Sequence, residues 1–130
     1  MDHVTPAGGI ERIEKPWGYE LLWARTDRYV GKVLFIRKGH KLSFQYHRMK
    51  DETIYLQSGE MLLTVQAEGA VAPITRAMKP GECCHIPPGV RHRMEAVEDC
   101  RVFEVSTTEL DDVVRLEDAY GRIDAKDTPR

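Results

Sequence analysis

The chain has 130 residues, 42% of them hydrophobic and 31% charged, with a net charge of −2. One soluble domain is expected, long enough to bury roughly two-thirds of its unfolded surface without disulfides. The charge balance argues against nucleic acid or an anionic membrane as partner. No apolar core of signal-peptide length opens the sequence and no apolar run is long enough to span a bilayer, so a cytoplasmic location is expected. Cys83, Cys84 and Cys100 are an odd number and read as reduced thiols, with Cys83 and Cys84 core or near-core.

In chain order, residues 1–14 carry Pro6, Gly8 and Gly9 with little periodicity and read as a loose arm. A single domain is expected over 15–122, with a polar tail at 123–130. Tyr19 to Ala24 and Tyr29 to Arg37 read as strands, the second rich in β-branched and aromatic residues. Lys41 to Arg48 alternates, with Leu42, Phe44 and Tyr46 on one face and Ser43, Gln45 and His47 on the other. The polar set would line a pocket and the apolar set would meet a second sheet or subunit. Short strands follow at Thr53 to Gln57, Glu60 to Gln66, Val71 to Met78, Cys83 to Ile86, His92 to Val97 and Arg101 to Ser106, with glycine or proline turns between most of them. This spacing predicts an all-β sandwich or barrel. Ser106 to Glu109 fits a capping box, and Leu110, Val113 and Val114 have helical spacing, which predicts a short helix near 108–115.

The chemistry concentrates in two stretches, Gly39 to Gly59 and Gly81 to His92. One residue separates Gln45 from His47, which puts both on one face of a strand. Glu52 follows after the charged turn Arg48 to Asp51 and can return on a neighbouring strand. His92 follows a Pro-Pro-Gly turn. Singly, each reads as a surface residue. Together, two imidazoles, a carboxylate and an amide oxygen can converge on one divalent metal ion and leave positions open for substrate. A mixed nitrogen and oxygen set suits zinc, iron(II), manganese or nickel, and the sequence does not choose among them.

These spacings resemble the paired motifs of the cupin superfamily, whose fold is a double-stranded β-helix, or jelly-roll barrel. Glutamine at position 45, where the usual motif has histidine, within Leu42-Ser43-Phe44-Gln45-Tyr46-His47, resembles the cupin-type (type II) mannose-6-phosphate isomerases. Lys15-Pro16-Trp17-Gly18-Tyr19-Glu20 is similar to that family's entry motif, Ile86-Pro87-Pro88-Gly89 with His92-Arg93 to its second motif, and Leu116 to Arg122 (LEDAYGR) to its ending. The resemblance covers about residues 15–122. It implies the cupin barrel, with Gln45, His47, Glu52 and His92 as metal ligands. His3, His40 and His85 match no ligand position. It also implies sugar-phosphate isomerisation between mannose 6-phosphate and fructose 6-phosphate through a metal-stabilised enediolate.

Such a reaction needs a base near neutral pH and a cationic anchor for phosphate. Lys32 and Arg93 are the favoured anchors. Glu104 is one candidate base and Glu95 another. Trp17 and Trp23 read as packing residues, and Trp17 could close the pocket mouth. Two other functions stay open, an iron(II)-dependent dioxygenase and a non-catalytic sugar-binding module. The expected partners are a small-molecule substrate and a second copy of the chain in a homodimer.

Overall fold

The computed structural model describes residues 9–124 and 126–127. Eleven strands run in order: β1 (Glu11–Lys15), β2 (Gly18–Arg25), β3 (Val30–Ile36), β4 (Phe44–Tyr46), β5 (Glu52–Ser58), β6 (Met61–Gln66), β7 (Ile74–Met78), β8 (Cys83–Ile86), β9 (Arg91–Ala96), β10 (Cys100–Ser106) and β11 (Val114–Glu117). They form two antiparallel sheets, one ordered β1-β2-β3-β10-β5-β8 and the other β11-β4-β9-β6-β7. The two face each other as a jelly-roll barrel. Among the described residues no helix is long and apolar enough to cross a membrane.

Period-two alternation decides what fills the barrel. On β10, Cys100, Val102, Glu104 and Ser106 point inward and are buried, while Arg101, Phe103 and Val105 point out. Register carries that pattern across the sheet. Val102 lies opposite Leu34 on β3 and Leu56 on β5, Glu104 opposite Lys32 and Ile54, and Ser106 opposite Val30 and Glu52. One end of the barrel is therefore filled by Leu34, Ile36, Leu56, Met61, Ala96, Cys100 and Val102, all nearly inaccessible to water. The other end is lined by buried polar groups. At about 1.5–3 kcal/mol for each large apolar side chain fully buried, the apolar end holds the frame on which the polar end is built.

Glycine is required where the chain turns tightly at this frame. Gly59 joins β5 to β6 with φ at +99°, and a Cβ there would collide with the Asp99 carbonyl. Gly89 (φ +86°) donates its N–H to the His47 carbonyl at 2.8 Å, tying the Pro-Pro-Gly turn to the end of β4.

Several expectations are corrected. Strand β1 begins at Glu11, inside the stretch read as an arm, and pairs along its length with β2. Residues 1–8 lie outside the described residues. The helix near 108–115 does not form. Residues 108–113 make a turn and Val114–Glu117 pair with β4 as strand β11. The helix fails because Asp112 is committed elsewhere, its carboxylate accepting the backbone N–H groups of Arg48, Met49 and Lys50 at 3.0, 2.6 and 2.8 Å. The segment Lys41 to Arg48 keeps only three strand residues. An isolated bridge at Lys41 to Glu95 precedes β4, and the interruption shifts the phase, so Leu42 lines the polar end with Gln45 and His47. Its supposed subunit-facing side is covered, since Tyr46 is buried and the guanidinium groups of Arg48 and Arg91 lie 5.8 and 5.7 Å from its ring. The exposed apolar face lies instead on the outer side of the six-stranded sheet, at Trp23, Tyr55, Phe103 and Val105. Trp23 thus stays outside the barrel core, half exposed with its ring lying over Gly31. Cys83 is exposed rather than near-core, while Cys100 is buried, and all three thiols are free.

Candidate metal centre

His47 leaves the end of β4, Glu52 opens β5 and His92 sits on β9, where it lies directly across from Gln45. Ligating atoms of His47, Glu52 and His92 all lie within 4.8 Å of one another, and all three residues are buried. The His92 Nε2 is 3.2 Å from Glu52 Oε1, and the His47 Nε2 is 3.6 Å from the same oxygen. The other nitrogen of each ring faces a backbone carbonyl, His47 Nδ1 donating to Asp112 O at 2.5 Å and His92 Nδ1 donating to Val90 O at 3.0 Å. A carbonyl only accepts, so each Nδ1 carries a proton. Each neutral imidazole then turns an Nε2 lone pair toward Glu52, and neither Nε2 has a hydrogen-bond partner.

Three buried lone-pair donors aimed at one point repel unless a cation sits among them. The residues present therefore fit a divalent metal. The carbonyl-held Nδ1 groups are the outer support that fixes tautomer and ring orientation in metal sites. Gln45 lines the same cavity, its Oε1 accepting from the Ser43 hydroxyl with a second lone pair left over. Burial alone would push the Glu52 carboxyl up. The Lys50 ammonium, 3.1 Å away, opposes that effect, and the Glu52 carboxyl lies well below the usual glutamate range. The carboxylate is thus ready as a ligand.

The cavity above the cluster has a volume of about 100 Å³. It contains two buried charge networks. Lys32 Nζ bonds Glu20 Oε1 at 3.2 Å. Lys50 Nζ bridges Glu104 Oε2 at 3.0 Å and Glu52 Oε2 at 3.1 Å. Burial first, then the Glu52 charge, push the Glu104 carboxyl up, against the pull of Lys50 and Lys32. The Lys50 ammonium is held above its ordinary value because Glu104 and Glu52 outweigh its burial. Trp17 is buried at the cavity wall, with Leu110 and Val113.

The structure brings Gln45, His47, Glu52, Lys32 and Glu104 to one cavity, with His92 against Glu52. It does not bring Arg93 there. On β9 the inward residues are His92, Met94 and Ala96, so Arg93 points out, with Nε bonding the Leu42 carbonyl at 2.9 Å and Nη2 that of Glu117 at 3.2 Å. Glu95 faces out for the same reason. His40 bonds the Tyr120 hydroxyl, and His85 bonds Asp51 on the exposed face of β8. His3 lies outside the described residues. Sequence reasoning missed Lys50, which it placed in a solvated turn. The signal was its position two residues before Glu52, on the same face of an extended chain.

A family model described as a cupin domain matches residues 33–106, more than half of the chain. The chain belongs to the cupin family. This cupin is 31% identical over 117 residues to the mannose-1-phosphate guanylyltransferase ManC of Salmonella typhimurium, covering 85% of the chain and 23% of that protein. The chain spans about a quarter of the length of the curated relatives it matches. Among solved structures, KdgF from Halomonas sp. superposes with a TM-score of 0.65 at 20% identity, covering 75% of the cupin and 85% of KdgF. A variant of oxalate decarboxylase from Bacillus subtilis superposes with a TM-score of 0.73 at 16% identity, covering 88% of the cupin and 34% of the decarboxylase. At these identities the structural likeness shows the fold.

Proposed function

We propose that this cupin is a metal-dependent sugar-phosphate isomerase that interconverts mannose 6-phosphate and fructose 6-phosphate. The observation that carries the reading is the pair of buried, unpartnered imidazole nitrogens facing Glu52 beneath a cavity that also holds a carboxyl and several cations. The resemblance of Gln45 and its neighbours to the cupin-type isomerases supports the substrate class, as does the name of the guanylyltransferase relative, which contains mannose 1-phosphate.

A divalent ion held by His47, His92 and Glu52, with Gln45 beside it, would supply Lewis acidity toward the carbonyl and hydroxyl oxygens of the open-chain sugar. The chain's own residues do the rest. Glu104 takes the proton from C2 of the aldose and returns it to C1 while the hydroxyl proton of O2 passes to O1, giving the ketose; burial pushes the Glu104 carboxyl up and makes its carboxylate a stronger base. Lys50 holds Glu104 in place through the 3.0 Å contact. Lys32, locked to Glu20, contributes positive potential from the wall rather than a free phosphate clamp. Trp17 and Leu34 exclude water from one side.

The test is metal-stripped protein reloaded with zinc, manganese, iron(II) or nickel and mixed with mannose 6-phosphate. Fructose 6-phosphate, followed by proton NMR, is expected with at least one metal and is lost on chelation. No fructose 6-phosphate with any metal removes the reading. Oxygen uptake dependent on iron would favour the dioxygenase, and sugar binding unaffected by chelation would favour the non-catalytic module.

A further inference from the structure

The cations at the cavity mouth are arranged differently from those in its wall. Lys32 is matched by Glu20, and Lys50 by Glu52 and Glu104. Lys15 and Arg115 both line the cavity, and among the described residues neither side chain makes an ion pair. Arg115 is in register with Gln45 on the adjacent strand, and Gln45 with His92 on the next, so Arg115 continues inward the row that holds the metal ligands. Its Nε is buried without any hydrogen-bond partner. Lys15 comes from the other sheet and points inward on the same face of β1 as Ile13. Arg122 completes the group. Asp118, whose side chain is fully buried, takes its Nε and Nη2 at 2.9 and 3.0 Å and leaves Nη1 for another acceptor.

With Arg122 balanced by Asp118, the mouth carries two cations without a side-chain ion pair, Lys15 and Arg115; the buried Asp127 carboxylate, which accepts the Arg115 backbone N–H at 3.0 Å and is drawn down in part by the Arg115 charge, lies outside the cavity lining and offsets part of that charge. A phosphate monoester carries about −1.5 to −2 at neutral pH, so it matches that excess. A neutral sugar would leave it unmet. We propose that Lys15, Arg115 and Arg122 form a phosphate subsite that takes the phosphomonoester end of the substrate and bridges the free edges of the two sheets, β1 and β11. The proposal deepens the isomerase reading and rests on it for placing the carbonyl end at the metal. Burial, and the charges of Lys32, Arg122 and Arg115 against the pull of Glu20, hold the Lys15 ammonium below its ordinary value, consistent with a cation waiting for an anion. The assignment replaces the anchors expected from sequence, since Arg93 faces away and Lys32 is already paired.

The subsite is tested by binding, on metal-free protein, with mannose 6-phosphate, inorganic phosphate and mannose followed by calorimetry. Mannose 6-phosphate is expected to bind, inorganic phosphate more weakly, and mannose not at all. Lys15→Gln and Arg115→Gln should each weaken mannose 6-phosphate by about tenfold or more, as expected for a charged hydrogen bond, while zinc affinity is unchanged. Arg115→Lys keeps the charge and should lie between wild type and Arg115→Gln. Amide exchange should slow in β1 and β11 on binding. Equal binding of mannose and mannose 6-phosphate, no preference for the phosphosugar over inorganic phosphate, or variants indistinguishable from wild type would each overturn the subsite. If the variants isomerise with unchanged KM, the subsite falls and the isomerase stands. If binding depends on Lys15 and Arg115 but no metal gives turnover, the subsite stands and the isomerase falls.

Discussion

Lys50→Met removes the one cation between two buried carboxylates. Lys50, Glu52 and Glu104 have side chains 7%, 2% and 6% exposed, and the ammonium lies within 3.1 Å of both partners. Each contact has a gross attraction of about 5 kcal/mol at an effective dielectric near 20, most of it offset by the cost of burying the three charges. Breaking such a group by removing one member leaves uncompensated charge and typically costs about 3–5 kcal/mol. Glu104 softens the loss, because its carboxyl is already pushed up and takes a proton when Lys50 is gone. The expected cost is therefore near the lower end, about 3 kcal/mol. For a chain of 130 residues this lowers Tm by about 12 °C. Urea denaturation of metal-free protein at neutral pH measures it. Adding Glu104→Gln to Lys50→Met should recover about 1–2 kcal/mol, because glutamine is neutral without the cost of protonating Glu104 at neutral pH. A Lys50→Met variant within about 0.5 kcal/mol of wild type, or a double variant less stable than Lys50→Met, would refute the account of the site as a charge network closed by Lys50.

His47→Ala, His92→Ala and Glu52→Gln should each lower zinc affinity by at least about a hundredfold, measured by competition with a chromophoric chelator; unchanged affinity in any one removes that residue from the ligand set. Asp118→Asn should cost about 2 kcal/mol at neutral pH through its lost charged bonds to Arg122. Arg122 holds the Asp118 carboxyl below the usual aspartate range, so its stabilisation is present above the ordinary value and is lost as pH falls through the lowered one. The gap between wild type and Asp118→Asn must then narrow on acidification, and a gap independent of pH would contradict the assignment. The homodimer expected from sequence would use the outer face of the six-stranded sheet, where Trp23 is 54% and Phe103 41% exposed. Light scattering should give the mass of two chains, reduced to one by Trp23→Glu, and a monomeric wild type would end that reading.

The barrel was legible because most strands alternate strongly and are bounded by glycine or proline. Strand β8 matches its expected span residue for residue, and β5, β9 and β10 match within one residue at either end. The two missed strands are both edges. In β1, ERIEK, only Ile13 is apolar, because an edge strand over a polar cavity buries little. In β11, VRLE has spacing as compatible with a helix as with a strand, and the choice was made by Asp112 bonding to residues more than sixty positions away. The ligand types were legible from spacing. The charged network was not, because Lys50 and Glu104 lie 54 positions apart in sequence and are buried only because they meet. A sequence presents each singly, and singly a lysine or glutamate reads as solvated.

The division of labour between central and edge strands follows from the same geometry. Glu52, His92 and Glu104 lie on β5, β9 and β10, each hydrogen-bonded to neighbours on both sides, which fixes them tightly enough to hold a small ion. Lys15 and Arg115 lie on β1 and β11, each paired on one side only, where the backbone opens at lower cost. On the proposed reading, a phosphosugar entering there would meet the edge-strand cations first and the central-strand donors last. The phosphate contacts would close the two edges over it. On this arrangement, substitutions at the edges change chiefly substrate binding, whereas substitutions on the central strands change metal binding or the fold itself.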